Sequence, residues 1–360
     1  MKIAVLGANG QVGSEICLLL RGVPGMQVVP ICRNHSGSAF LRWHGMSCRH
    51  GRASDPVESR ALLGDCDVVV NFALATGRPR EAREANRRLV EAAARDSLPG
   101  ARIIFFSTLA VYPQFLAAGA PSGLTAYGKE KLRGERDALQ VGQGTGKATW
   151  VLRLGHVYGE LQGIREEVRR VVSAGPVRVP RYGQLGSNVV HTVTIVDAIL
   201  KIVAGGERPG VYDLLSSPPW SWEQVLVHEA GVAGVPLVIE EPHPDPLSTA
   251  ARGWSAQLSG SARSVAAAIL GSPRTREIGL NWITHLPEPV NLRLQSRNFQ
   301  RRAAAEIAGL SYRPVSHAAF TIPSITPKSL VTLSPTEDLL CSGWGAVPAA
   351  GQPTFAPDLP

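Results

Sequence analysis

The chain has 360 residues, of which 44% are hydrophobic and 18% are charged. This composition is typical of a globular protein with a sizeable core. No run of about 18 or more apolar residues occurs, which argues against a transmembrane helix, and the first residues predict a buried strand rather than a signal peptide. The net charge of +8 comes from scattered arginines, without a zinc-finger or RNP-type motif. It favours a phosphate-bearing cofactor or an anionic small molecule over nucleic acid or a membrane.

Five cysteines are present, at positions 17, 32, 48, 66 and 341. Their number is odd, and no two have the spacing of a metal site or a CxxC motif. They are therefore interpreted as reduced thiols of a cytoplasmic protein, with no metal site expected.

Strands alternate with helices through residue 155. Apolar runs predict strands at 2–7, 27–32, 67–73, 102–108 and 148–155, and helical periodicity predicts helices at 11–20, 81–95 and from 125 onward. This alternation predicts an α/β fold, a Rossmann-type doubly wound parallel sheet. In such sheets ligands bind beyond the carboxyl ends of the strands.

The pattern thins after residue 155. A helix is predicted at 164–175, a strand running into a helix at 190–205, a strand at 210–216 and a helix at 221–231. We therefore expect an NAD(P)-binding domain at 1–160. A smaller mixed C-terminal substrate-binding region should follow at 161–340, partly interleaved with the sheet. The Pro-, Ala- and Gly-rich end, 345–360, is predicted to be a disordered tail.

A glycine motif, GANGQVG at residues 7–13, joins the first strand to the first helix. Glycine permits the tight turn and lets the backbone approach a pyrophosphate, and the helix N-terminus offers free amides to that anion. An ordinary glycine turn is the alternative. The position of the motif between strand and helix favours dinucleotide binding.

The end of the second strand bears on which dinucleotide binds. An acidic residue there would favour NAD, but this chain has Cys32, Arg33 and Asn34. Arg33 could pair with a 2′-phosphate, so the sequence favours NADPH and leaves NAD open.

Tyr127 and Lys131 stand four residues apart and so share one face of a helix. A phenol has a pKa near about 10, and a nearby ammonium favours its ionised form, which suits a general acid or base at neutral pH. Alone, the pair is weak evidence, because most such spacings belong to solvated helix faces. Ser107 and Thr108 add two hydroxyls at the end of the preceding strand, where a carbonyl could be polarised; turn formation is the alternative role for such a pair.

These motifs together resemble the extended short-chain dehydrogenase/reductases, the group of nucleotide-sugar epimerases, dehydratases and reductases. The resemblance rests on five segments in the family's order, at 7–13, 67–74, 106–112, 126–135 and 151–159. Within the family, GQVG and YGKEKLRGE look most like the dTDP-4-dehydrorhamnose reductase branch.

The resemblance implies roles for individual residues. Thr108, Tyr127 and Lys131 match the catalytic residues. The cofactor-binding set implied by the resemblance and by the motifs comprises Gly7, Asn9, Gly10, Gln11, Val12, Gly13, Arg33, Asn34, Arg52, Ala53, Phe72, Ala73, Leu74, Ser107, Tyr127, Lys131 and His156. A homodimer through a bundle that includes the Tyr127 helix is implied as well.

Two departures bear on the substrate. Epimerases commonly carry an arginine for the substrate diphosphate at the position where this chain has Val190. Either Arg178 and Arg181 are the substrate-binding residues instead, or the substrate is not a nucleotide sugar. A dehydratase generally has an acid–base pair after the catalytic threonine, where this chain has Leu109 and Ala110.

Three functions compete. The first is a reductase of a carbonyl on a nucleotide-activated sugar or related small molecule. The second is an epimerase with tightly bound, recycled NAD. The third is a non-catalytic NADP-sensing regulator, which would not need Thr108, Tyr127 and Lys131 together.

Overall fold

The computed structural model describes residues 1–112, 124–173, 187–216 and 220–237, together with residues 287 and 290. The predicted substrate-binding Arg178 and Arg181 and the predicted tail at 345–360 lie outside the described residues. No helix in the described part of the chain is long and apolar enough to cross a membrane.

In the described part of the chain, seven strands form one sheet in the order β3-β2-β1-β4-β5-β6-β9, and every neighbouring pair is parallel. The strands are β1 (Lys2–Leu6), β2 (Gln27–Cys32), β3 (Arg49–His50), β4 (Val68–Asn71), β5 (Arg102–Thr108), β6 (Thr149–Leu154) and β9 (Gly210–Leu214). The order of the first six is that of the dinucleotide-binding doubly wound fold. A separate parallel pair comprises β7 (His156–Tyr158) and β8 (Val189–His191).

Eight α-helices are described: α1 (Gln11–Arg21), α2 (Ala39–Trp43), α3 (Pro56–Leu63), α4 (Pro79–Arg95), α5 (Ala126–Thr145), α6 (Gly163–Ser173), α7 (Thr192–Val203) and α8 (Trp222–Ala233). Helices cover both faces of the sheet. On one face Ile16 of α1 and Ile195 of α7 are fully buried in a core with Val5 and Val70. On the other face Leu62 of α3 and the alanines of α4 pack against the same strands.

The strands β1 and β4 are buried on both faces. That is why their sequences are continuous apolar runs instead of alternating ones. All the parallel strands end at the same edge of the sheet, so the loops that follow β1, β2, β4 and β5 lie along one edge.

The predicted fold class is confirmed. Strands at 27–32 and 102–108 occupy the predicted residues, whereas β4 is shorter than the predicted 67–73. It ends early because the Asn71 side chain accepts a hydrogen bond from the Ala73 amide at 2.9 Å, which turns the chain.

The prediction missed four short elements: α2, β3, α3 and β7. One of them carried a recognisable signal. Asp55 caps α3 by accepting hydrogen bonds from the amides of Val57 and Glu58, and Pro56 occupies the first turn. The two-residue β3 is too short to show any periodicity.

Candidate active site at the carboxyl edge of the sheet

The glycine loop is held by contacts that exclude larger side chains. Gly7 has φ +80°, and a Cβ there would lie 2.8 Å from the Ala73 nitrogen. A Cβ on Gly13 would lie 2.3 Å from the Gly7 carbonyl oxygen. These two glycines therefore serve the packing of the chain itself: the first fits the loop against the end of β4, and the second fits α1 against the loop.

Gly10 differs from the other two glycines. It precedes α1, and its amide donates to the Gly7 carbonyl at 2.9 Å. A Cβ at this position would meet only that carbonyl, at 3.3 Å. Packing within the chain therefore does not require glycine at position 10. A ligand that approaches the backbone closely would require it.

The first turn of α1 carries no acidic residue. Its free amides and its positive dipole end are thus available to a pyrophosphate. Together with the open surface at Gly10, these features fit a dinucleotide. Asn9, Gln11 and Val12 line the same turn and are partly exposed.

Arg33 and Arg52 follow β2 and β3, which pair in register at Cys32 and His50. Both arginines are exposed, and the Gly51 amide donates to the Cys32 carbonyl at 3.0 Å, which joins the two loops. The sheet therefore brings two cationic residues to the end where the adenosine half of a dinucleotide is predicted. Ala53, from the same predicted set, is buried at 5% exposure and belongs to the core.

Asn34 lies in the loop after β2. Its side chain accepts a hydrogen bond from the Gly37 amide at 2.8 Å. A Cβ on Gly37 would lie 3.4 Å from the Asn9 side-chain nitrogen. The loops that follow β1 and β2 are therefore in contact, and they form one continuous surface beside Gly10.

Phe72, Ala73 and Leu74 follow β4, directly against Gly7. The Phe72 amide donates to the Leu6 carbonyl at 3.0 Å, and its ring stacks on that of Phe106 with centroids 4.2 Å apart. All three residues are partly exposed. They occupy the place along the sheet edge between the glycine loop and the end of β5.

The start of α5 is brought against the end of β5 by a close backbone contact. A Cβ on Gly128 would lie 2.3 Å from the Ala110 carbonyl oxygen, so only glycine allows this approach. Thr125 caps the helix by accepting the Gly128 amide at 3.0 Å. Tyr127 precedes Gly128 and Thr108 lies two residues before Ala110, so this contact brings the segments that carry both hydroxyl groups to the same end of β5.

Tyr127 lies in the first turn of α5 and is 47% exposed. Thr108 is partly exposed, and its Oγ1 accepts the Ala110 amide at 3.2 Å. The threonine proton is then directed away from that amide and can be donated to a ligand oxygen. Both hydroxyl groups are therefore suited to contact a substrate.

Lys131 is buried at 6% exposure on the same helix. Its ammonium donates to the Phe106 carbonyl at 2.9 Å and lies 5.4 Å from the centre of the Phe105 ring. Burial lowers the pKa of Lys131 to about 8, while the Glu135 carboxylate acts in the opposite direction. The lysine thus titrates much closer to neutrality than an exposed one.

Ser107 points away from the site. Its hydroxyl is buried and donates to Glu135 Oε1 at 2.5 Å. The two neighbouring hydroxyls at the end of β5 therefore have different surroundings, and Thr108 is the one that faces outward. A cofactor contact by Ser107 stays a prediction.

His156 opens β7, and its amide donates to the Asn188 carbonyl at 2.8 Å. Burial lowers the pKa of the imidazole to about 4, so the ring is neutral at physiological pH. The ring lies 5.7 Å from that of Trp222. His156 therefore lies between the sheet and α8, and its predicted contact with the cofactor stays a prediction.

A charged cluster under α5 was not anticipated from the sequence. Glu135 receives two hydrogen bonds from Arg153, whose third contact is the Tyr112 hydroxyl at 2.6 Å. Tyr112 in turn donates to Asp213 of β9 at 3.0 Å. The spacing of Glu135 four residues after Lys131 was the one signal that could have pointed to this cluster.

A second buried carboxylate was also missed. Glu15 of α1 is 2% exposed and receives hydrogen bonds from the Glu160 amide at 2.9 Å and from the Thr192 hydroxyl at 2.8 Å. The Leu161 amide and the Gln162 side chain donate to its other oxygen. The glycine-loop helix is thus joined to the start of α6.

The sequence profile of the family described as "NAD dependent epimerase/dehydratase family" matches residues 3–212. No curated protein sequence matches the chain.

Solved structures share the fold. The UDP-glucuronic acid 4-epimerase of Bacillus cereus, in complex with NAD, has a TM-score of 0.52 at 20% identity, over 68% of this chain and 88% of its own. The UDP-N-acetylglucosamine 4-epimerase of Bacillus cereus has a TM-score of 0.53 at 16% identity, over 67% and 85%. A dTDP-4-dehydrorhamnose reductase from Clostridium acetobutylicum has a TM-score of 0.50 at 21% identity, over 67% and 84%.

Epimerases and a reductase thus share one architecture with this chain, so the fold alone does not separate the two reactions. The family match extends over more than half of the chain and includes the glycine loop, Thr108, Tyr127 and Lys131. It also favours an enzyme over the non-catalytic regulator. The chain therefore belongs to the NAD-dependent epimerase/dehydratase family and is an NAD(P)-dependent enzyme of the extended short-chain dehydrogenase/reductase type.

Proposed function

We propose that the chain is an oxidoreductase that reduces a carbonyl on a nucleotide-activated sugar or a related small molecule. The observation that carries this proposal is the grouping of three residues at one sheet edge. An exposed Tyr127, an outward-facing Thr108 and a buried, readily titrating Lys131 lie at the end of β5. The glycine loop, which follows β1, lies on the same edge of the sheet, separated from the end of β5 by β4.

Each residue has a distinct task in this reaction. When bound, the cofactor supplies a hydride from its nicotinamide ring. Thr108 donates a hydrogen bond to the substrate carbonyl oxygen and fixes its position, and Tyr127 gives that oxygen a proton. Lys131, when charged, favours the phenolate form of Tyr127 and so brings its proton affinity closer to the working pH.

NADPH is the cofactor that we propose, with NAD as the alternative. Arg33 and Arg52 at the ends of β2 and β3 support it, because guanidinium groups suit a 2′-phosphate. The test compares binding of NADPH and NADH to the protein and to the Arg33→Ala variant. We expect that variant to lose affinity for NADPH alone, and a wild-type preference for NADH would contradict the assignment.

An anionic sugar nucleotide is the proposed substrate class. The names of the similar structures support this class, since they include enzymes of UDP- and dTDP-sugars. Arg178 and Arg181 remain the proposed substrate contacts. A dehydratase is disfavoured because Leu109, fully buried, and Ala110 follow Thr108, and neither can transfer a proton.

An epimerase is the second candidate, favoured by the two structurally similar 4-epimerases. Identifying the nucleotide that copurifies with the protein distinguishes an epimerase from a reductase. Absorbance and mass spectrometry that reveal one tightly held NAD per chain would favour the epimerase. A site that is purified empty and binds NADPH supports the reductase.

Tyr127→Phe tests the proton-donor role. We expect turnover of nucleotide-activated keto sugars to fall by about 10²–10⁴-fold, because the donor group is lost, while the Kd for the cofactor changes little. Lys129→Met is the matched control, since Lys129 is exposed on the same helix turn and should be dispensable. Near-normal turnover in Tyr127→Phe would exclude the proposed mechanism.

Two further properties belong to this proposal. A homodimer through the α5 helix is proposed, and light scattering of the purified protein tests it. A cytoplasmic location is proposed as well, and the free thiols of Cys17, Cys32, Cys48 and Cys66 support a reducing compartment.

A further inference from the structure

A buried carboxylate lies one helical turn beyond Lys131. Glu135 is 3% exposed, and the spacing of four residues puts it on the Lys131 face of α5. Ser107 donates to its Oε1 at 2.5 Å. Arg153 of β6 donates to both oxygens, at 2.9 and 2.6 Å. These contacts fix the carboxylate in position with a bidentate guanidinium.

The contacts continue across the sheet. Arg153 also donates to the Tyr112 hydroxyl at 2.6 Å, and Tyr112 donates to both oxygens of Asp213, each at 3.0 Å. Including Lys131, the cluster holds two cations and two anions, so its charges balance. Burying such groups is tolerated when each is paired and hydrogen-bonded.

The surroundings of Lys131 single out Glu135. The contacts of Lys131 with β5 are uncharged: the ammonium donates to the Phe106 carbonyl and lies over the Phe105 ring. The charged and titratable groups packed at this level are Glu135 on α5 itself, Arg153 on β6, and Tyr112 and Asp213 beyond it. Of these, Glu135 is the group whose charge acts on the lysine.

We propose that Glu135 is a positioning residue for the reaction: its buried carboxylate, held by Ser107 and Arg153, keeps the Lys131 ammonium charged behind Tyr127. The inference deepens the proposed function and rests on the role given there to Lys131. It assigns the network from Ser107 to Asp213 a purpose beyond holding α5 against the sheet.

The electrostatic reason follows from burial. Removal from water lowers the pKa of Lys131 to about 8, and the attraction of Glu135 offsets part of that loss. Without the carboxylate, burial would lower the pKa of Lys131 further, and a larger share of the lysine would be neutral. A neutral amine no longer favours the Tyr127 phenolate, so the proton donor would return towards the behaviour of an ordinary phenol.

The test measures the titration of Lys131 directly, without turnover. The protein is labelled with ¹³C-lysine, its Lys131 resonance is assigned by its loss in Lys131→Arg, and the resonance is followed against pH by NMR. Few other lysines crowd the spectrum; they are Lys2, Lys129, Lys147, Lys201 and Lys328. In Glu135→Gln we expect the midpoint to fall by on the order of one pH unit below the wild-type value.

The direction in which the Lys131 midpoint shifts distinguishes the proposed electrostatic role of Glu135 from a merely structural one. A loosened cluster would admit water to Lys131 and move its midpoint upward, towards the ordinary value of 10.5. An upward shift or no shift in Glu135→Gln would therefore overturn the proposal. Because cofactor and substrate take no part, this result does not depend on whether the proposed reaction is correct.

Two variants complete the experiment. Glu130→Gln removes the same charge from the residue next to Lys131, but Glu130 contacts Asn86 of α4 and Arg133, away from Phe106 and Glu135. It should leave the midpoint in place. If Glu135→Gln alone does not fold, the double variant Glu135→Gln/Arg153→Gln removes both charges of the pair and leaves no unpaired ion. Its midpoint should also fall, and an unchanged midpoint there would equally overturn the proposal.

Discussion

Glu15 and Glu135 are buried to the same degree, at 2% and 3% exposure, but in different surroundings. Glu15 lies where the glycine-loop helix meets the segment before α6 and the first residue of α7, and every group that donates to it is neutral. Glu135 lies where α5 meets β6, and its main partner is the guanidinium of Arg153. One junction is closed by amides and a hydroxyl, the other by an ion pair.

These different surroundings of Glu15 and Glu135 show that a buried carboxylate can be stabilised either by neutral donors or by a paired cation. Desolvation raises the pKa of Glu15, and its neutral donors offset this only in part. At the other junction, the hydrogen bonds and the charge of the Glu135 carboxylate raise the pKa of Arg153. The first arrangement joins two parts of the chain through neutral donors, whereas the second joins α5 to β6 through a buried ion pair on the helix that carries Tyr127 and Lys131.

The largest effect should come from breaking the ion pair. Arg153→Leu leaves Glu135 buried without its cation and should lower the free energy of unfolding by about 3–5 kcal/mol. Thr192→Val removes one neutral donor from Glu15 and should cost about 1–3 kcal/mol. Urea unfolding of both variants measures the two losses. Equal losses would show that the two junctions do not differ in the way described.

The next effect concerns how closely α5 approaches the end of β5. Gly128→Ala would place a Cβ 2.3 Å from the Ala110 carbonyl oxygen and should cost about 1–3 kcal/mol of stability. Turnover should fall as well, because Tyr127 moves with the helix.

Gly144→Ala is the control on the same helix, since nothing lies within 4 Å of its Cβ. It should stabilise the protein by about 0.5–1 kcal/mol. Thermal melting and steady-state rates measure both.

The smallest effect is the pH dependence of the Glu15 junction. Because the pKa of Glu15 is raised above its ordinary 4.5 in the folded protein, folding favours the protonated acid. The stability that protonation confers is complete below pH 4.5 and is lost as the pH rises through the folded-state pKa. The stability advantage of wild type over Glu15→Gln should therefore shrink as the pH rises. Denaturant titrations of both proteins between pH 4 and 8 measure it, and an advantage that grows over this range would contradict the prediction.

Local signals in the sequence predicted much of the fold. Periodicity and turn chemistry describe features that residues close in sequence encode. Such features include the glycine loop, the apolar strands and the four-residue spacing of Tyr127 and Lys131. The choice of Thr108 over Ser107 came from the family resemblance, and the surroundings of the two hydroxyls in the structure agree with it. Ser107 is turned inward by Glu135, whereas Thr108 is partly exposed.

Contacts between distant residues could not be predicted in this way. The hydrogen bond from Tyr112 to Asp213 joins residues 101 positions apart, and that from Thr192 to Glu15 joins residues 177 apart. Their sequence surroundings are ordinary: Asp213 lies in a short strand and Glu15 in an amphipathic helix. The strand order, with β9 beside β6, brings Asp213 to Tyr112, and the packing of α7 beside α1 brings Thr192 to Glu15.

That placement of β9 also sets an order of events during synthesis. A nascent chain that has reached residue 160 already contains the glycine loop, Thr108, Tyr127 and Lys131, yet it lacks Asp213. Residues 210–214 must emerge from the ribosome before β6 gains its second neighbour and before Tyr112 gains its carboxylate acceptor. The sheet edge at β6 is therefore an open template in the interval, of the kind that favours mispairing. Within the described residues β9 is the last strand of the sheet, and its pairing with β6 brings Asp213 to the charge cluster in the same step.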